Sequence, residues 1–119
     1  MTEGTLARKI ADILYDKKAR DIVVLEVSHL TILTEYLVIA TGRSAIQVKA
    51  LAEEVDDRLA EAGIQLRRKE GQNEGRWIVM DYNNVMVHIF HQEERTFYNL
   101  ERLWDDGQNR MLLPYDSEE

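Results

Sequence analysis

The stretch that most constrains the fold is WIVMDYNNVMVHIFH, residues 77–91, in which two apolar runs flank an Asn-Asn pair. Short runs rich in β-branched and aromatic residues on either side of a two-residue turn signal read as a β-hairpin. After glycine, asparagine tolerates positive φ best, so a two-residue turn with φ > 0 at both Asn83 and Asn84 is expected. Strands over 76–82 and 85–91 follow, and with them a register. One face pairs Tyr82 with Val85, Met80 with Val87 and Ile78 with Ile89, an apolar core face. The other pairs Asp81 with Met86, Val79 with His88 and Trp77 with Phe90.

That second face mixes aromatic, aliphatic, carboxylate and imidazole side chains. Two readings fit it. A helix covers it, making Trp77 and Phe90 core and His88 a hydrogen-bonded interior residue. Alternatively it stays open, with aromatic anchors and a polar handle, the make-up of an interface centre.

The remaining pattern supplies the layers around the hairpin. Leu6, Ile10, Ile13 and Leu14 recur at helical spacing and predict an amphipathic helix over roughly residues 5–18. DIVVLEV (21–27) and EYLVIAT (35–41) are nearly continuous apolar runs, suited to central strands. Ser44 and Gln47 form a capping box ahead of Val48, Leu51, Ala52, Val55 and Leu59, and Gly63 closes that helix, about 44–62. Residues 64–69 suit a short edge strand whose charges discourage sheet-to-sheet pairing, and the glycines of 70–75 a flexible loop. Phe97, Leu100, Leu103 and Trp104 mark a last helix from near Glu93 to Asp105. The order α-β-β-α-β-β-β-α predicts an α/β fold: one compact domain over 1–107, a mixed sheet of about five strands flanked by helices, and a loosely held acidic tail over 108–119.

Composition removes whole classes of function. With 22 acidic against 15 basic residues the net charge is −7, so a sequence-independent nucleic-acid grip is disfavoured, apart from one short cluster, Arg67-Arg68-Lys69. The acidic balance favours a basic partner reached by electrostatic steering. No cysteine is present, which removes disulfides, thiolate catalysis and Cys-ligated zinc. No apolar run approaches the roughly 20 residues of a membrane helix. The N-terminus lacks a signal-peptide core, so a cytoplasmic protein is expected.

Three chemistries can be tested on spacing. His88 and His91 form H-x-x-H, but on a strand residues three apart face opposite ways and cannot share a metal. Asp81 and His88 share a face two rungs apart, with no nucleophile in the hairpin to complete a triad. Thr41-Gly42-Arg43-Ser44, between strand and helix, could seat a phosphate and is similar to the entry of nucleotidyltransferase sites. The nearest carboxylates, Glu53, Glu54, Asp56 and Asp57, read instead as a solvated helix face, and no Asp-x-Asp occurs. No catalytic set, cofactor or metal site is expected.

DIVVLEVSHLT, EYLVIATGRSAIQVKALAEEV and EGRWIVMDYNNVMVHIFHQEERTFYNLERLW together closely resemble the ribosomal silencing factor family, also called RsfS or Iojap-like, over roughly residues 5–105. The most specific block runs from Trp77 to Trp104. The resemblance implies a nucleotidyltransferase-like sheet without the catalytic carboxylates. It implies binding, not catalysis: docking on large-subunit ribosomal protein fourteen, blocking small-subunit joining and repressing translation when nutrients are short. It also implies little direct nucleic-acid contact and a homodimer in isolation. By matching position it assigns Trp77, Asp81 and Tyr82 to the partner surface, with His88 and Phe90 on the adjacent strand and Tyr98 starting the following helix. This chain departs from the family pattern at Asn83-Asn84, where relatives usually carry Gly-Asp, and at Glu35, where Asp is commoner.

Overall fold

The structure is a computed structural model that describes residues 2–116. Thr2 caps the first helix, its Oγ1 accepting the Thr5 N–H at 3.1 Å, so α1 spans Glu3–Asp16 and starts earlier than the apolar stripe alone indicated. Strands β1 (Arg20–Glu26) and β2 (Tyr36–Gly42) follow, then α2 (Ala45–Glu61). Asp21, at φ 50°, sits in an irregularity where the β1–β2 register slips between Arg20 and Val23. The predicted capping box forms with a twist. Ser44 Oγ accepts the Gln47 N–H at 3.1 Å, and Gln47 Oε1 accepts the Arg43 N–H at 2.6 Å, one residue before the cap itself.

The edge strand contracts to β3 (Arg68–Glu70), followed by β4 (Trp77–Asp81) and β5 (Val85–His91). The sheet order is β1-β2-β5-β4-β3, with β2 and β5 parallel and the other neighbours antiparallel. This is the mixed five-stranded sheet of an α/β domain. The hairpin register is the predicted one, Trp77 opposite Phe90 through Asp81 opposite Met86. The turn differs. Asn83 takes φ 78°, but Asn84 stays at negative φ, and its carbonyl accepts the N–H groups of Glu35 and Tyr36. A turn with positive φ at its first residue only is the II′ pattern, equally compatible with the strand twist.

Helices α1 and α2 lie on one face of the sheet. There Ile10, Leu14, Leu51, Val55 and Leu59 pack against Val38, Ile78, Met80, Val87 and Ile89 in the main core. Gly42 is needed where β2 meets α2, because a Cβ there would lie 2.7 Å from Val48 Cγ2. The expected final helix breaks in two: α3 (Gln92–Tyr98) and α4 (Glu101–Trp104). Asn99, in the left-handed region at φ 46°, ends α3. Asparagine is the residue that most often replaces glycine at such an end.

Residues 109–116 do not hang loose. The Glu26 N–H donates to the Asn109 carbonyl at 2.9 Å and the Met111 N–H to the Val24 carbonyl at 2.8 Å, covering part of the outer edge of β1. Asn109 Nδ2 donates to the carbonyls of Glu26 and Trp104, both at 2.8 Å. Leu113 enters the main core and Tyr115 stacks on Tyr15, ring centroids 4.0 Å apart. Net charge describes this segment's solubility but not its packing; its apolar residues decide that.

Candidate partner-binding face

The second face of the sheet is divided. β-strand alternation puts Val23 and Leu25 of β1, Leu37 and Ile39 of β2, and Phe90 of β5 on it, and Leu100 and Trp104 pack over them as a second, smaller core. The covering segment leaves β4 and the start of β5 open. Trp77, Val79 and Asp81 on β4 and Met86 on β5 are each only partly buried. The face is thus covered over one half and only partly covered over the other.

The assigned residues separate accordingly. Phe90 is fully buried and His88 is 8 % exposed, so neither presents a surface to a partner. They form the floor under Trp77, whose ring stacks on Phe90 at 4.9 Å and whose Nε1–H donates to His88 Nδ1 at 3.0 Å. That bond needs a neutral imidazole, and burial pushes His88 down to about 4. Tyr82 lies on the opposite face, in the main core, and is only 5 % exposed. Burial raises its phenol, whose oxygen has no hydrogen-bond partner among the described residues. Asp81 stays accessible while its Oδ1 accepts the Asn83 N–H at 2.7 Å, so the carboxylate shapes the turn as well as the surface. Tyr98 does not start a helix but ends α3, half exposed, its ring 4.8 Å from that of Trp77.

Of the four residues that mark the last helix in the sequence, two do not pack on the sheet. Phe97 is 80 % exposed and meets Tyr98 edge-on at 5.0 Å, and Leu103 is 73 % exposed. The break at Asn99 shifts the helical phase between Phe97 and Leu100, and only Leu100 and Trp104 then reach the sheet. The result is a strip of Val79, Met86 and Trp77 bordered by an exposed aromatic ridge of Tyr98 and Phe97. A second apolar feature that periodicity could not find is the β1–β2 loop, which holds Ile32 and Leu33 in solvent.

The chemical alternatives find little support in the geometry. His88 lies in the second core while His91 caps α3, its Nδ1 accepting the Glu93 N–H. His91, Glu93 and Glu94 bring donor atoms within 4.8 Å of one another, but the Arg76 guanidinium pairs with both carboxylates. At the strand-to-helix turn, the Ser44 hydroxyl and the Gln47 carboxamide occupy the N–H groups that a phosphate would need. Glu54, one of the four candidate carboxylates, pairs with Arg58 and with Lys17 at the end of α1.

Comparison with known proteins decides the family. The pattern described as "Ribosomal silencing factor during starvation" matches residues 2–119. The chain belongs to this family. It is 40 % identical over 107 residues to the ribosomal silencing factor RsfS of Bacillus subtilis, covering 90 % of this chain and 91 % of that one. It is 32 % identical over 112 residues to the chloroplastic protein Iojap of Arabidopsis thaliana, covering 94 % of this chain but 46 % of the plant protein. Among solved structures, a Chromobacterium violaceum protein superposes with a TM-score of 0.86 at 33 % identity over 98 % of both chains. A Bacillus halodurans protein gives 0.75 at 37 % identity, over 92 % of this chain and 95 % of that one. The family match continues through the packed segment 109–116. The relatives' names describe a regulatory role, and no helix among the described residues is long and apolar enough to cross a membrane.

Proposed function

We propose that the chain represses translation by occupancy. Its open strip docks on ribosomal protein fourteen of the large subunit, where the bound protein sterically excludes the small subunit. The observation that carries this reading is the half-covered second face. A chain of this family leaves Val79, Met86 and Trp77 partly uncovered and sets the exposed rings of Phe97 and Tyr98 beside them. Aromatic anchors around an aliphatic centre are the composition from which binding hot spots are made. The acidic balance of the chain suits a basic ribosomal protein, and blocking of this kind requires only residence, with no reaction. Such a protein works in the cytoplasm, alongside its target.

The test is cosedimentation with purified large subunits. Trp77→Ala is a poor probe, since Trp77 also stacks on Phe90 and satisfies His88. Phe97→Ala is a cleaner one, because an 80 % exposed ring contributes little to the fold. Loss of this aromatic anchor should weaken binding by about 2 kcal/mol, roughly thirtyfold, with unfolding unchanged. Wild-type protein that stays in the supernatant at low salt refutes the reading.

A further inference from the structure

We propose that edge strand β3 and the residue just before it carry a phosphate-binding ribbon, Arg67-Arg68-Lys69, that grips ribosomal RNA backbone beside the docking strip; this rests on the docking reading above. The cluster is the one run of three consecutive cations in a chain with 22 acidic residues and 15 basic ones. Of the other twelve Lys and Arg residues, Arg8, Lys17, Arg58, Arg76 and Arg95 pair with carboxylates. None of the three ribbon residues forms an ion pair among the described residues. Arg67 Nη1 donates to the amide oxygen of Asn83 at 2.6 Å, which orients the guanidinium without compensating its charge.

Position makes the cluster useful. β3 is the terminal strand of the sheet, so its outer edge faces solvent. Arg68 stands opposite Asp81 and Glu70 opposite Val79, which puts Arg68 on the face of the docking strip, one strand away from it. Lys69, opposite Met80, points to the other side of the sheet, so the run straddles the rim. A polyanion lying along this rim is held from both sides. Protection of a sheet edge accounts for charge here, since charged side chains deter strand addition. It does not account for three adjacent charges of one sign in an acidic chain. Guanidinium groups in this density match phosphate oxygens, which they bind bidentately. A protein docked on a ribosomal protein has RNA backbone within reach, and the local ribbon acts at short range where the net charge of the chain is screened.

The experiment is cosedimentation with large subunits across a salt series, using wild type, Arg67→Ala/Arg68→Ala/Lys69→Ala, the charge-keeping Arg67→Lys/Arg68→Lys and Phe97→Ala. Removing one cation from a phosphate should reduce the slope of log affinity against log salt by about 1, so the neutralised variant should lose roughly 2–3. Its affinity at low salt should fall at least tenfold, while the lysine variant keeps the wild-type slope. Phe97→Ala should weaken binding at every salt concentration without changing the slope. Because the chain has no cysteine, Glu70→Cys offers a single attachment point for an iron chelate that cleaves nearby RNA by hydroxyl radicals. Local strand scission of ribosomal RNA in the complex supports the proposal. Wild-type binding with an unchanged slope in the neutralised variant overturns the ribbon and leaves docking intact. A reduced slope without scission assigns the ribbon to an acidic protein and overturns the RNA assignment. Wild-type protein that does not bind subunits overturns docking and the ribbon with it.

Discussion

The Trp77–His88 pair makes the fold measurably sensitive to acid. His88 is 8 % exposed, accepts the Trp77 indole N–H on Nδ1, and is held by burial at about 4 against an ordinary 6.5. Between those two values the unfolded chain binds a proton that the folded chain refuses. The stabilising contribution is therefore complete above pH 6.5 and is lost as pH falls toward 4. Lowering the pH from about 7.5 to about 4.5 should remove about 2.5 kcal/mol through this group alone. With a urea m-value of about 2 kcal/mol/M, the unfolding midpoint should fall by about 1.2 M. Other groups titrate over the same range, so the assay compares wild type with His88→Asn, whose amide oxygen can still accept the indole N–H but does not titrate. Urea unfolding followed by tryptophan fluorescence at several pH values should show wild type losing the additional midpoint shift and the variant lacking it. Equal pH dependence in the two proteins would refute the buried, neutral assignment of His88.

Substitutions at three further positions probe the frame around the site. Gly42→Ala should destabilise by about 1–3 kcal/mol and lower the melting temperature by several degrees, because its Cβ meets Val48 Cγ2 at 2.7 Å. Asn99→Ala should cost about 1 kcal/mol in urea unfolding and Asn99→Gly almost nothing, since the position sits at φ 46°; equal costs would remove the left-handed helix end. Leu113→Ala should cost about 2–3 kcal/mol by calorimetry if the C-terminal segment contributes to the core, and a loss near zero would detach it.

The hairpin was legible in the sequence because two constraints coincide there: period-two alternation fixes the faces and a two-residue turn fixes the register. The first core face follows from that register, as do the buried stripes of α1 and α2. Three things were not legible. Which half of the second face is covered depends on where Leu100 and Trp104 land, and a single left-handed residue, Asn99, decides that by breaking a stripe that looked continuous. The family resemblance places Tyr82, His88 and Phe90 at the partner surface; the hairpin register alone puts Tyr82 on the core face, but it does not show that Phe90 and His88 lie beneath Trp77. The packing of 109–116 rests on backbone bonds to the β1 edge and on Leu113 and Tyr115, which total charge does not reveal. The exposed ring of Phe97 became visible only once the phase shift was known.

Everything proposed for the ribosome depends on the uncovered strip of β4 and β5, with its aromatic ridge, being the docking surface. Subunit joining followed by light scattering probes this, with purified large and small subunits and rising amounts of wild type or Met86→Asp. Met86 is half-buried in the strip and its side chain makes no hydrogen bond among the described residues, so a carboxylate there should disrupt docking more than folding. Wild type should give dose-dependent loss of joined ribosomes, and a variant that melts near the wild-type temperature should inhibit at least tenfold more weakly. Equal inhibition by the two proteins, or none by wild type, would contradict docking through this strip.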